Sequence, residues 1–160
     1  LKPDIFLHDI VDPSLKWLTS VSGTPSADNA RVLVMAIAGQ ESHWEHRRQI
    51  GGPARSYWQF EKGGGVAGLF RVTPSQLRAV CETLDIPYDQ ATVFEAMAWN
   101  DTLACCMARL LLWSDPRALP PVGNKEAGWQ YYLANWRPGA PHPEAWPTVY
   151  DQSLAAMRAL

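Results

Sequence analysis

Glu41 lies in the stretch Ala36-Ile37-Ala38-Gly39-Gln40-Glu41-Ser42-His43-Trp44, where an amphipathic helix would place another apolar side chain. Leu33, Val34, Ile37 and Ala38 form a stripe at helical spacing, and Glu41 falls one turn beyond Ile37 on that face. A carboxyl group there is expected to be partly desolvated. Burial disfavours its charged form, and the negative end of a helix dipole disfavours it further, so both effects raise the pKa. A carboxylic acid that stays protonated near neutral pH can protonate a poor leaving group such as a glycosidic oxygen. On position alone, the alternative is a glutamate at a fraying helix end, directed into water.

The reactive side chains nearby form no other familiar constellation. Glu41, His43, Glu45 and His46 crowd together, but a zinc-protease pattern needs two histidines one turn apart with a glutamate beside the first, so no metal site is expected. Ser42 and His43 have no third partner, and neighbouring helical residues do not face each other, which argues against a hydrolase triad. Gly63-Gly64-Gly65-Val66-Ala67-Gly68 lacks the Lys-Ser/Thr of a phosphate loop and reads instead as backbone freedom beside a cleft. No cofactor is expected. Glu45 reads as a solvated helix-end residue. Glu61 either faces Glu41 across a cleft or pairs with Lys62, Arg55 or Arg47. Arg47, Arg48 and Arg55 form a basic patch that either meets substrate acids or balances Glu45 and Glu61.

The bulk numbers limit the function classes. A chain of 160 residues fits one domain, spanning 1–160, with a single sizeable core. A formal charge of −2 gives no electrostatic case for a nucleic-acid or anionic-membrane partner. With 47% hydrophobic and 19% charged residues, the composition is that of a folded globule. No apolar run is long enough to span a bilayer, and Arg109 interrupts the run before Leu110–Trp113. The start, Leu1-Lys2-Pro3-Asp4, has no signal-peptide core and reads as a piece of a longer chain. Cys81, Cys105 and Cys106 read as reduced core residues. Eight tryptophans are many for this length, so some are expected on a surface that binds flat apolar faces such as sugar rings, with most of the eight in the core.

Helical patterns dominate the elements that must position Glu41. Asp12 with Pro13 opens a short helix ending before Ser22-Gly23-Thr24-Pro25. Ser26 or Asp28 caps the next, which runs to about Trp44–Glu45. Residues 50–65 read as a loop or small hairpin, and Val66–Phe70 as a short helical turn. Thr73-Pro74 opens a helix through about Thr83. The longest pattern, Val93 to Trp113, predicts one central buried helix as the hub of an all-α domain. Lys125–Trp136 forms another helix, and Thr148 or Asp151 starts a last one to Leu160.

With these elements placed, the chain resembles the lysozyme-like superfamily, specifically the lytic transglycosylase and goose-type lysozyme branch found in phage-encoded wall-degrading proteins. Three segments carry the resemblance. Glu41-Ser42 closing a helix is similar to the family's catalytic glutamate followed by serine. Ser56-Tyr57-Trp58-Gln59-Phe60 resembles the family's Gly-Leu-Met-Gln-Ile segment, with Ser56 in place of glycine and Trp58 in place of methionine. Trp129-Gln130-Tyr131-Tyr132-Leu133-Ala134-Asn135-Trp136-Arg137-Pro138-Gly139 resembles the late aromatic-Asn-Gly segment that floors the cleft.

The resemblance implies Glu41 as general acid and then base. It implies Ser42 and Gln59 as groups that orient the substrate, and Tyr132 as a stabiliser of developing positive charge. The implied binding set also includes Tyr57, Trp58, Glu61 and Asn135. The implied partner is the peptidoglycan glycan strand, cut at the N-acetylmuramic acid to N-acetylglucosamine β-1,4 bond. The setting would be a virion, as a domain of a larger virion or tail protein, or the bacterial cell-wall compartment. T4-like phage lysozymes resemble one another in an aspartate shortly after the glutamate, whereas here the next aspartate is Asp85. The expected products are therefore 1,6-anhydromuramoyl sugars. The alternatives are hydrolysis with Glu61 as second carboxylate, and a non-catalytic glycan-binding virion domain.

Overall fold

Apolar side chains recur at three- and four-residue spacing along most of the chain, and the computed structural model, which describes residues 1–159, is accordingly all-α. The helices are α1 (Pro3–Phe6), α2 (Asp12–Ser22), α3 (Asp28–Ser42), α4 (Ala67–Val72), α5 (Pro74–Thr83), α6 (Gln90–Ala96), α7 (Asp101–Trp113), α8 (Lys125–Trp136) and α9 (Trp146–Arg158). Wider π-helical turns, Leu7–Val11 and Lys62–Val66, lead into α2 and α4. Among the described residues there is no β-strand. The expected hairpin region holds only the isolated bridges Arg48–Arg55 and Arg55–Phe60.

Two helices make the centre. α3 buries every residue from Val32 to Gly39 and packs against α9, α7 and α8. α7 buries Leu103 through Leu110 and packs against α2, α5 and α3. Arg109 sits inside this core. Its guanidinium donates to the Pro25 carbonyl and to Ser26 Oγ (3.0 Å) and lies over the Trp113 ring, which offsets part of the cost of burying a charge. The three cysteines are free and buried, and burial pushes the Cys81 thiol up to about 11.

Several boundaries differ from the sequence expectation. The Val93–Trp113 pattern is two helices, interrupted at residues 97–100, where the Asn100 side chain accepts from Leu103 N (2.9 Å) and caps α7. Helical structure begins at Pro3 rather than Asp12, and the widened turn at Leu7–Val11 stands just before Pro13, where a backbone donor is missing. α3 stops at Ser42, because His43 and Trp44 adopt left-handed conformations. Neither Ser26 nor the Asp28 side chain caps it; Ala27 stands at the N-cap and Asp28 is the first helical residue. Thr73 precedes α5 as expected, but its hydroxyl donates back to the Leu69 carbonyl (3.0 Å). α9 begins at Trp146, ahead of Thr148, and the expected end at Leu160 lies outside the described residues.

Candidate active site

Glu41 sits in the last turn of α3, held by what packs beneath that turn. After the helix ends, the chain reverses through His43 and Trp44, and the Trp44 indole returns under Gly39 with its Nε1 donating to the Met35 carbonyl (3.0 Å). A Cβ on Gly39 would stand 2.5 Å from that ring, so glycine is what allows the approach. The Ser42 hydroxyl donates to the Ala38 carbonyl (3.0 Å), and its side chain is buried in the helix.

α8 supplies the partner of Glu41. Gly128 lets α8 lie close to Leu33 and Tyr150, where a Cβ would meet Leu33 at 3.2 Å. One turn further on, the Tyr132 hydroxyl donates to Glu41 Oε1 at 2.6 Å. The Tyr132 ring stacks on Trp146 (5.5 Å between centroids, 14° between planes) and packs on Trp129, so the phenol is aimed by a rigid aromatic wall. Burial and the adjacent Glu41 carboxylate push the phenol well above the usual tyrosine range, which keeps it a donor. Glu41 itself is raised above its ordinary value. Burial is the main cause; the Tyr132 hydrogen bond opposes it, the Glu61 charge adds to it, and His142 opposes it. Oε2 has no hydrogen-bond partner among the described residues, so it is the oxygen free to carry a transferable proton.

Glu41 opens onto a cleft of about 1090 Å³, just above the roughly 300–1,000 Å³ usual for small-molecule pockets and large enough for a polymer segment. Gln59, Glu61, Tyr132 and Asn135 line it, together with the glycine segment Gly63–Gly65 and the loop from Arg137 to His142. Glu61 forms none of the expected ion pairs: Arg47 pairs with Asp101 (2.9 Å) and Arg55 with Glu95 (3.5 Å). Gln59 occupies a tight turn in which Arg55 and Phe60 exchange backbone hydrogen bonds, both at 2.8 Å. Ser56 and Gln59 are left-handed there, and such strain concentrates at functional sites. The Gln59 amide donates to the Ser56 carbonyl (2.8 Å).

Three of the residues implied as binding groups lie in the protein interior instead. Ser42, Tyr57 and Trp58 are buried and absent from its lining. Trp58 is fully enclosed with its indole donating to the Val34 carbonyl (2.8 Å), and the Tyr57 ring packs on Phe6 with Arg47 stacked over it. Of the eight tryptophans only Trp136 lines the cleft; Trp44, Trp58, Trp129 and Trp146 are core, Trp17 is half-buried, and Trp99 and Trp113 are exposed elsewhere. The abundance of tryptophan is mainly a packing device.

The structure adds residues the sequence did not single out. Asp115 lines the cleft, and Arg117 grips it through Nε (3.0 Å) and Nη2 (2.7 Å), holding its carboxyl well below the usual range. Asn135 donates to Asp115 (3.0 Å) and to the Tyr131 carbonyl (2.9 Å), so its amide oxygen is left for a ligand donor. Gln40 donates to the His142 carbonyl (2.8 Å) and ties the proline-rich loop to α3 beside Glu41. Only its adjacency to Glu41 could have flagged Gln40, and Asp115 reads in sequence as the start of a rigid proline-rich connection to Gly123. Among the described residues no three His, Cys, Asp or Glu side chains are grouped to hold a metal ion.

No family model, curated protein or solved structure matches this chain.

Proposed function

We propose that the chain is a lysozyme-like domain that cleaves peptidoglycan glycan strands at the N-acetylmuramic acid to N-acetylglucosamine β-1,4 bond, with Glu41 as the acid and then the base. The observation that carries this is the state of Glu41. It is half-buried, its Oε1 is held by Tyr132, its Oε2 is free, and it opens onto a cleft with room for several sugar rings.

The reaction proceeds in two steps. Glu41 Oε2 gives its proton to the glycosidic oxygen as the bond to the muramyl C1 breaks. The Tyr132 hydrogen bond strengthens as Glu41 becomes charged, so it favours the transition state over the ground state. This differs from the role the resemblance implied for Tyr132, because the hydroxyl is committed to the carboxylate. Glu41 then takes the proton of the muramyl 6-hydroxyl while that oxygen closes on C1. The 1,6-anhydro product forms intramolecularly and needs no protein group to position a water.

Glu61 supports a second reading, hydrolysis. It lines the same cleft, is not ion-paired among the described residues, and lies near enough for its charge to act on Glu41. Clearing of a purified wall suspension, followed by mass spectrometry of the soluble sugars, tests both. The proposal requires muramic ends lighter than reducing ends by one water. Reducing ends would establish hydrolysis, and an unchanged suspension would remove catalysis altogether.

A further inference from the structure

The cleft carries cations that its own ion pairs leave uncompensated. Asp115 and Arg117 neutralise each other, while Glu61 places negative charge beside protonated Glu41 at the centre. Arg71 and Arg137 also line the cleft, and neither forms an ion pair with any described residue. Arg71 is in the last turn of α4, folded back over Gly68, where no side chain intervenes. Arg137 follows α8 at the helix C-terminus with φ of 48°, a left-handed position that favours glycine. Its hydrogen bond is from Nε to the Ala134 carbonyl (3.4 Å), which leaves both Nη groups free. The patch of Arg47, Arg48 and Arg55 does not serve in the same way: Arg47 and Arg55 are each engaged by a carboxylate, and none of the three lines the cleft.

A polymer bearing carboxylates would be repelled by Glu61 unless cations met its acids away from the centre. Guanidinium groups suit that task, because they stay charged and bind carboxylates through paired donors. We infer that Arg71 and Arg137 read the carboxylates of the bound glycan and make the cleft selective for an anionic strand over a neutral one. The inference rests on the proposed function for its choice of polymer. The carboxylate comes either from the lactyl group of a bare muramic acid or from a peptide stem.

The test measures binding apart from cleavage. Dissociation constants are determined in a Glu41→Gln background, so that no strand is consumed. Three soluble glycans are compared: strands with peptide stems, strands stripped to the lactyl carboxylate, and neutral N-acetylglucosamine oligomers. Adding Arg71→Gln and Arg137→Gln together should weaken at least one carboxylate-bearing strand by about tenfold or more and flatten its salt dependence, while the neutral oligomers change by less than about twofold. Whichever strand responds identifies the source of the carboxylate. Equal weakening of all three glycans, no weakening of any, or no binding of carboxylate strands by the parent overturns the inference. Failure of the unsubstituted chain to cut any strand refutes the proposed reaction and leaves the binding result standing.

Discussion

Substituting Gly39 by alanine sets helix propensity against close packing, and the structure says which wins. Alanine is preferred over glycine inside a helix by about 0.8–1.0 kcal/mol. A Cβ at position 39 would, however, lie 2.5, 2.7 and 2.9 Å from Cζ2, Cη2 and Cε2 of Trp44. The indole is buried and its Nε1 is bonded to the Met35 carbonyl, so it cannot yield without losing that bond. Overpacking costs about 1–3 kcal/mol and the lost hydrogen bond about 1 kcal/mol, which leaves Gly39→Ala destabilised by about 1–3 kcal/mol after the helix gain. Trp44→Ala alone should cost about 3–5 kcal/mol. In that background the obstruction is gone, so Gly39→Ala should become favourable by up to about 1 kcal/mol. The coupling between the two sites is then about 2–4 kcal/mol. Urea unfolding followed by far-UV circular dichroism measures all four proteins. A stabilising Gly39→Ala in the parent, or the same cost in both backgrounds, would refute the packing account of how the Glu41 turn is held.

The pKa directions give further expectations. Tyr132→Phe removes a donor that favours ionised Glu41, so the alkaline limb of the pH–rate profile should move to higher pH; Glu61→Gln removes a like charge and should move it lower. A limb that stays in place in both variants would detach Glu41 from the profile. Glu41 also binds its proton more tightly folded than unfolded, so folding stability falls as pH rises from its ordinary value of 4.5 through the raised folded value. Glu41→Gln should therefore be more stable than the parent at neutral pH and gain nothing at acid pH, as thermal unfolding at the two pH values would show. Asp115→Asn should lower stability at neutral pH by no more than about 1 kcal/mol, since it weakens the grip of an exposed Arg117 and loosens Asn135. The contribution of Asp115 is present above the ordinary carboxylate range and is lost as pH falls, so the two proteins should converge in acid.

Helices that open or close with local chemistry were legible in the sequence. Pro74 marks the start of α5, and Lys125–Trp136 has the bounds expected of it. The break between α6 and α7 was hidden because Met97-Ala98-Trp99-Asn100 contains neither glycine nor proline; the signal was Asn100-Asp101, a capping residue followed by an acid. The desolvation of Glu41 followed from its place on the α3 stripe. Its contact with Tyr132, 91 residues away, depends on how close α8 approaches, which no local pattern encodes. The burial of Tyr57 and Trp58 was likewise invisible, because a turn such as Arg55–Phe60 can present either face of its aromatic residues, whereas that of Ser42 was open to the same argument as Glu41, one turn beyond Ala38 on the stripe.

The most direct measurement of the central claim is the rate at which Glu41→Gln clears a purified peptidoglycan suspension, set against the unsubstituted chain at equal folded concentration. Glutamine keeps the shape and the acceptor for Tyr132 but has no proton to give. Turnover should fall by roughly 10²–10⁴-fold, with the far-UV circular dichroism unchanged. A folded Glu41→Gln protein that clears the wall at close to the parent rate would contradict the account.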